Sequence, residues 1–509
     1  MYFVRGLSAS FLFLLLRGGA AVVIPTSAPS SAATIDPSLL AVSIEFFAFP
    51  GYTNVTSTSK CLQNLGDLRG SPVAVRIGGT TQDRATYDAS LADPVKYTVA
   101  SPNDAPLSLT YGPSFFTLAA GMKGDVTVGL NRQLNNQANT LAAAQRAKQA
   151  IPNLLSIELG NEPDLYAASS PIAGGTWNAN ADAASERAWF NALAPSVGNI
   201  FQAGVYLDRW SIAGLVSSLG DALSKVKSFS GHSYPQSACG GASTNLQNLM
   251  THSVLSPRDI DAIKLRRGIV SYTKKYKADA TAVHGAGKRY FLGETNSGLN
   301  IDLSNPCHAL NSFDQATCGG GGISPTFGAA LWIVDYVLQG ALNGIERLYF
   351  HQGTIGNCQY CWWGRFTTGA PFYGTYFLNT FLGRDGTKLS ALDDGAGAVA
   401  TYVVYNSSGK PVRALVYNSN YYASGTRSST SVSFTGGGLP SSGSKTATRL
   451  TAPNATSRVD QGDAVTIGGG LTFDGNCNPV GSIAKETISI SGSTLTVSVK
   501  ASEALIIDL

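Results

Sequence analysis

The sequence predicts a (β/α)₈ barrel followed by an antiparallel β-sandwich. From about Ile35 to Gly383, short β-branched or apolar runs alternate with longer stretches of helical period, as repeated βα units require. After Leu382 the texture changes to Ser, Thr and Gly with period-two strands. The length of 509 residues holds one barrel of around 250 residues plus a smaller domain.

Residues 1–21 carry Arg5, the apolar stretch Phe11-Leu12-Phe13-Leu14-Leu15-Leu16 and the small residues Gly18-Gly19-Ala20-Ala21, which is the pattern of a secretory signal peptide. Arg17 cuts the apolar run well short of the roughly 20 residues a bilayer needs. A secreted, extracellular product with no membrane partner is expected. Three Asn-x-Ser/Thr acceptors, at Asn54, Asn406 and Asn454, agree with that route and with a glycoprotein. Residues 25–40 are expected to add an edge strand to the sandwich before the barrel begins.

Barrel strands are predicted at Val73–Ile77, Val126–Leu130, Leu154–Leu159, Arg209–Ile212, Lys227–Ser230, Arg289–Leu292 and Arg347–Phe350. Amphipathic helices are predicted at Thr140–Ala150, Ser185–Ala203, Asp259–Ala282 and Thr326–Asn343. The barrel occupies 35–383 and the β-domain 384–509. In the latter, Ala398–Tyr405, a turn through Asn406–Pro411 and Val412–Tyr417 form a hairpin, and Ile488–Ile490, Thr494–Val499 and Ala504–Ile507 continue the alternation.

Charged residues make up only 13% and hydrophobic ones 44%, which excludes a disordered chain. The net charge of +4 is spread without any basic run long enough to follow a phosphate backbone, so nucleic acid is not an expected partner. Seven cysteines in a secreted chain imply disulfides with one left over. Cys358-Gln-Tyr-Cys361 reads as a local disulfide, because half a zinc site would need a second Cys pair that the sequence lacks. No metal and no cofactor are implied.

Reactive groups of such a barrel sit where strands end. Glu162 follows the apolar run ending Ile157-Glu-Leu-Gly-Asn-Glu-Pro163, and Glu294 follows that in Phe291-Leu-Gly-Glu-Thr-Asn-Ser297. Two carboxyl groups facing one cleft can divide glycoside cleavage, one protonating the leaving oxygen while the other attacks or activates water. A lone Glu at a strand end more often pairs with a barrel Arg or Lys. Two such positions on different strands favour the catalytic reading.

Leu159-Gly-Asn-Glu-Pro163 and Gly293-Glu-Thr-Asn-Ser297 resemble the acid/base and nucleophile motifs of retaining barrel glycosidases. With Arg76-Ile-Gly-Gly-Thr-Thr-Gln-Asp83, Gly231-His-Ser-Tyr-Pro235, Gly328-Ala-Ala-Leu-Trp332 and Phe350-His-Gln-Gly353, the chain resembles glycoside hydrolase family 79, the β-glucuronidase and heparanase family, and its secreted fungal branch most nearly. The resemblance covers nearly the whole mature chain. It implies that Glu162 is the general acid/base and Glu294 the nucleophile. It also implies that Asn161 bonds the sugar 2-hydroxyl and that Tyr234 donates to Glu294 to hold it ionised. Asp83 is expected either to accept from distal sugar hydroxyls or to cap the helix that follows. Cys318-Gly-Gly-Gly-Gly-Ile-Ser324, with Gly320 and Gly321, resembles the family's loop for the uronate carboxylate, to which Tyr360 adds a hydroxyl. A flexible linker is the plainer reading of four glycines.

One stretch departs from the family. Residues 298–316 separate two motifs that the family joins almost directly. They are either a loop over the cleft or translated intron, and removing them would take out Cys307 and leave six cysteines. The activity this implies is secreted, retaining exo-β-glucuronidase action on terminal glucuronic acid, with or without a 4-O-methyl group, in cell-wall glycans or proteoglycans. An endo-acting heparanase-like enzyme, a neutral-sugar barrel glycosidase and a noncatalytic carbohydrate-binding protein are the alternatives. The absence of Lys/Arg clusters near the motifs disfavours an endo-enzyme on a sulfated polymer.

Overall fold

The computed structural model describes residues 21–237, 244–253, 268–299, 320 and 322–509. Nearly all of the expected signal peptide, residues 300–316 of the departing stretch, Gly321 and residues 259–267 of an expected helix lie outside them. Eight parallel strands close the barrel: β1 Leu40–Glu45, β2 Val75–Gly78, β3 Val126–Leu130, β4 Leu154–Leu159, β5 Phe201–Tyr206, β6 Val226–Ser233, β7 Arg289–Thr295 and β8 Arg347–Gln352. They pair in sequence order, and β8 returns to β1 with His351 opposite Ser43. Each is covered on both faces, which is why the runs read as nearly continuous apolar sequence.

Helices follow the strands in turn: α1 Thr56–Arg69, α2 Pro113–Ala119, α3 Gln137–Ala150, α4 Ala179–Val197, α5 Ile212–Ser218, α6 Lys277–Gly285, α7 Phe327–Leu342 and α8 Ala370–Leu382. Several start on a side-chain cap. Asn136 accepts from the Asn139 N–H, Ser211 from Gly214 and Thr326 from Ala329, each satisfying a first-turn donor with no intrahelical partner.

Two sequence expectations are corrected in one place. Arg209–Ile212 is not a strand, and α4 ends at Val197 rather than reaching Ala203. Gly198, at φ 87°, stops the helix, and the buried run Phe201–Tyr206 that follows is β5. The Arg209 N–H donates to Asp164, and Ser211 caps α5, so this segment is the loop after the strand. The first barrel strand, Leu40–Glu45, was not among the expected ones. Its neighbour Ala33–Thr34 does join the C-terminal sheet, pairing with Lys388–Leu389.

The C-terminal strands are β9 Lys388–Ala391, β10 Val399–Tyr405, β11 Pro411–Asn418, β12 Ser429–Gly436, β13 Ser442–Thr451, β14 Glu486–Ser491, β15 Thr494–Lys500 and β16 Glu503–Asp508. Their path is β12-β15-β14-β13-β16-β11-β10-β9, with Val22–Ile24 added beside β12. The sheet doubles over. Val403 and Tyr405 of β10 share one buried cluster with Phe434 of β12 and Leu495 of β15, while the alternate residues Tyr402 and Val404 join the barrel's core.

Helix α7 lies at that junction and is buried along almost its whole length. Its Asp335 accepts from Tyr402 and sits 2.8 Å from His252, whose other ring nitrogen is 3.2 Å from Asp393. Burial opposes the imidazolium, but the two carboxylates outweigh it and push His252 up to about 10. Cys61 on α1 is bonded to Cys477, 416 residues away, tying barrel to β-domain, and Cys358 to Cys361. Cys239, Cys307 and Cys318 lie outside the described residues. Replacing Cys61 and Cys477 together by serine is expected to cost about 2–5 kcal/mol by freeing the unfolded chain. Thermal unfolding reads this as a lowered midpoint, and an unchanged midpoint would contradict a stabilising crosslink.

Candidate active site

The two glutamates reach one place, with oxygens within 4.8 Å, by different backbone devices. Glu162 stands one residue beyond the turn that ends β4, itself at φ 48°, with Gly160 at φ 84° before it and Pro163 opening a short turn after it. A side chain at residue 160 would place its Cβ 2.4 Å from the Tyr166 hydroxyl, so glycine is needed there. Asp164 secures the loop by accepting from the N–H groups of Leu207, Asp208 and Arg209 beyond β5. Glu294 projects from β7 beside a register shift, where His232 rather than Ser233 pairs with it. The Gly293 N–H donates to Ser230 Oγ at 3.1 Å, and a Cβ on Gly293 would fall 2.2 Å from that oxygen.

Arg76 of β2 is fully buried and joins four groups inside the barrel. Nη1 donates to Glu294 Oε2 at 2.5 Å and to Ser43 Oγ at 3.1 Å. Nη2 donates to Glu158 Oε1 at 2.5 Å and to Asn161 Oδ1 at 2.8 Å. Gln202 closes the far side, donating to Glu158 Oε2 at 2.8 Å. The Tyr234 hydroxyl donates to Glu294 Oε1 at 2.7 Å, and His351 Nδ1 lies 3.6 Å from Oε2. On the other carboxyl, His232 Nδ1 is 2.9 Å from Glu162 Oε1.

These surroundings drive the pair apart. For Glu162, burial dominates, the negative charges of Glu294 and Asp164 add to it, and the carboxyl rises well above its ordinary range. Burial would push Glu294 the same way. His351, His232, Arg76 and the Tyr234 hydrogen bond outweigh it and hold this carboxyl far below the usual range. Burial also lowers His232 to about 4, so it is a neutral ring beside Glu162. Ligand atoms of Glu162, His232 and Glu294 all lie within 4.8 Å of one another. Arg76 already neutralises the ionised member, so the three are charge-compensated by the protein and read as a proton-handling set.

The remaining expected residues fall into place unevenly. Asn161 is buried beside Glu162, and its own N–H donates to Asp83 Oδ2 at 2.7 Å. Asp83 points into the protein. Its carboxylate also accepts from the N–H groups of Arg132 at 3.0 Å and Gln133 at 3.2 Å and from the Tyr166 hydroxyl at 2.5 Å. Four donors fill the acceptor positions of one carboxylate, so Asp83 holds the loops after β3 and β4 in place of meeting sugar hydroxyls. Tyr360 is buried with its ring 6.2 Å from Tyr234 and 6.3 Å from His351. The Gly320 N–H donates to Ser324 Oγ at 3.1 Å, and Gly321 is outside the described residues.

Sequence reasoning missed Arg76, Glu158, His232 and His351 as site residues. The signal for the first two was present: a charge inside Val73-Ala-Val-Arg-Ile77 or Leu154-Leu-Ser-Ile-Glu-Leu159 must be paired once buried. A neutral acid and an ionised carboxylate held this close can protonate a leaving oxygen on one side and meet an electron-poor carbon on the other.

Known proteins resemble this chain throughout. The family model for the glycosyl hydrolase family 79 C-terminal beta domain matches residues 401–506. A solved 4-O-α-L-rhamnosyl-β-D-glucuronidase from Fusarium oxysporum is 45% identical, covering 96% of this chain and 100% of that one with a TM-score of 0.86. A β-glucuronidase of Aspergillus niger is 29% identical over 76% of this chain and 73% of its own length. One of Neurospora crassa is 29% identical over 71% and 66%.

Arg76→Met would leave Glu158 and Glu294 buried without their cation. The expected loss is about 3–5 kcal/mol at neutral pH. It should shrink as the pH falls, because Glu294, without the guanidinium that helps hold it ionised, takes up a proton that removes its uncompensated charge. Denaturant unfolding at neutral and acid pH measures both effects, and wild-type stability in the variant would contradict the assignment.

Proposed function

This chain belongs to glycoside hydrolase family 79, and from that membership we propose that it is a secreted β-glucuronidase acting by double displacement. The observation that carries the reading is the approach of Glu162 and Glu294, with oxygens within 4.8 Å, each on different partners: a histidine ring on Glu162, a guanidinium and a phenol on Glu294. Retaining glycosidases place their two carboxyl groups about 5–5.5 Å apart, whereas inverting ones need about 6.5–9.5 Å to admit a water.

In the first step Glu294 attacks the anomeric carbon while Glu162 protonates the glycosidic oxygen, and the aglycone leaves. In the second, Glu162, now ionised, takes a proton from water as that water displaces Glu294 from the sugar. Asn161, its Oδ1 occupied by Arg76, turns its amide N–H groups toward the 2-hydroxyl. Disulfides Cys61–Cys477 and Cys358–Cys361 suit an oxidising, extracellular compartment.

A second reading concerns the sugar. The relative at 45% identity is named for a glucuronic acid carrying rhamnose at O4, which favours a glucuronide substituted at that oxygen over a bare one. Comparing kcat/KM for an aryl β-glucuronide with and without a 4-O-α-L-rhamnosyl group tests this. Faster cleavage of the substituted compound is expected, and strong preference for the unsubstituted one would reject it.

Glu294→Gln should abolish hydrolysis of both compounds while the fold survives. Glu162→Gln should slow an alkyl glucuronide by about 10²–10⁴-fold and an activated aryl glucuronide less. NMR of the first sugar released should show the β-anomer, and α-anomer first would overturn double displacement. Activity should fall at low pH as Glu294 takes up a proton and at high pH as Glu162 loses one. Since the first is depressed and the second raised, the plateau between them should be broad.

A further inference from the structure

His351 is held between two carboxylates on opposite sides of its ring. Nε2 lies 3.2 Å from Glu45 Oε2, and Nδ1 lies 3.6 Å from Glu294 Oε2 with Ser43 Oγ at 2.9 Å from the same nitrogen. Both His351 and Glu45 are buried, at 3% and 1% exposure. The parallel pairing of β8 with β1 sets Ser43 directly opposite His351, and the Ser43 hydroxyl then holds the ring at Nδ1. Glu45 accepts in addition from the Phe46 N–H at 3.2 Å, the Thr81 N–H at 3.0 Å and the Thr81 hydroxyl at 2.5 Å. These three donors all meet Oε1 and leave Oε2 to the His351 ring.

We propose that Glu45 and His351 are a charge-holding pair for Glu294: Glu45 keeps the His351 ring doubly protonated, and that cation, with Arg76, keeps Glu294 ionised and a good leaving group. The proposal rests on the reading of Glu294 as nucleophile. In glycosyl transfer to the enzyme, the bond from the anomeric carbon to Glu294 forms as the glycosidic bond breaks, and the proton of Glu162 goes to the departing oxygen. In hydrolysis the water oxygen bonds to that carbon, its proton goes to Glu162, and the electron pair of the breaking ester returns to Glu294 beside His351. A fixed positive charge there lowers the cost of both the resting anion and its re-formation.

The groups facing Glu294 are Arg76 from β2, His232 and Tyr234 from β6 and beyond, Glu162 after β4, and His351 from β8. Those facing His351 are Ser43 and Glu45 from β1, Arg76, Glu294, Glu162 and the ring of Tyr360. Burial opposes a charge on His351, but Glu294 and Glu45 outweigh it and raise its pKa. Glu45 and His351 are therefore positioning residues that act through Glu294.

The test is the pH profile of kcat/KM on an aryl β-glucuronide for the wild type, H351Q and E45Q, together with ring ¹⁵N NMR of His351. The chain has five histidines, so H351Q identifies the signal by its loss. In both variants the acidic limb should move up by about one pH unit, a tenfold loss on its acid side, and the basic limb governed by Glu162 should move up less, because burial, Glu294, Asp164 and Arg76 all act on that carboxyl more strongly than His351 does. In the wild type the ring should be doubly protonated at pH 6, and in E45Q it should release a proton at lower pH. Should E45Q not fold because Thr81 loses its anchor, H351Q and the wild-type spectrum carry the test. An acidic limb that stays in place while kcat drops evenly at every pH overturns the proposal, as does a singly protonated ring at pH 6 in the wild type. Absence of hydrolysis by the wild type with the ring doubly protonated would instead count against the glucuronidase reading.

Discussion

The site depends on one buried guanidinium. Arg76 stands inside the barrel without access to water, where an isolated charge would be prohibitively costly. It is tolerated because three strands deliver partners to it: Glu158 from β4, Glu294 from β7 and Ser43 from β1, with Asn161 just beyond β4. That network runs from β2 to its neighbour β1 and to β4 and β7, which do not pair with β2, so it specifies barrel register as well as charge. It also divides the two carboxyls chemically, since Glu294 receives the cation directly while Glu162 receives a neutral imidazole.

Loops around the site are anchored by carboxylates that never touch the cavity. Asp83 gathers donors from the loops after β3 and β4, and Asp164 joins the loops after β4 and β5. Each replaces weak loop backbone contacts by charge-assisted hydrogen bonds, which keeps Asn161 and Glu162 at fixed angles. Helix α7 is enclosed between barrel and β-sheet, and the His252, Asp335 and Tyr402 contacts bind the two bodies. The β-domain thus stabilises the helix that follows β7, the strand that carries Glu294.

Both glutamates were legible in the sequence because each sits where an apolar run stops, with glycine and asparagine or proline beside it. The β-domain was legible because alternation along Val399–Tyr405 sorts residues to two different cores. β5 was not, because Ser185–Ala203 continues a plausible helical period past Gly198, and only a positive φ at that glycine reveals the stop. Asp83 stood within a motif, but the donors that claim it come from chain segments 49, 50, 78 and 83 residues away. Such pairings are decided by the closed barrel, and no local pattern announces them. The same is true of Arg76 with Glu294, 218 residues apart.

The central claim is that burial and neighbouring charge hold Glu162 protonated and Glu294 ionised in the same resting enzyme. Neutron diffraction from a deuterated crystal at mildly acid pH observes this directly. Deuterium density on a Glu162 oxygen, with none on Glu294 and with the Tyr234 deuteron directed at Glu294 Oε1, is the predicted result. Deuterium on Glu294, or on neither carboxyl, would contradict the account.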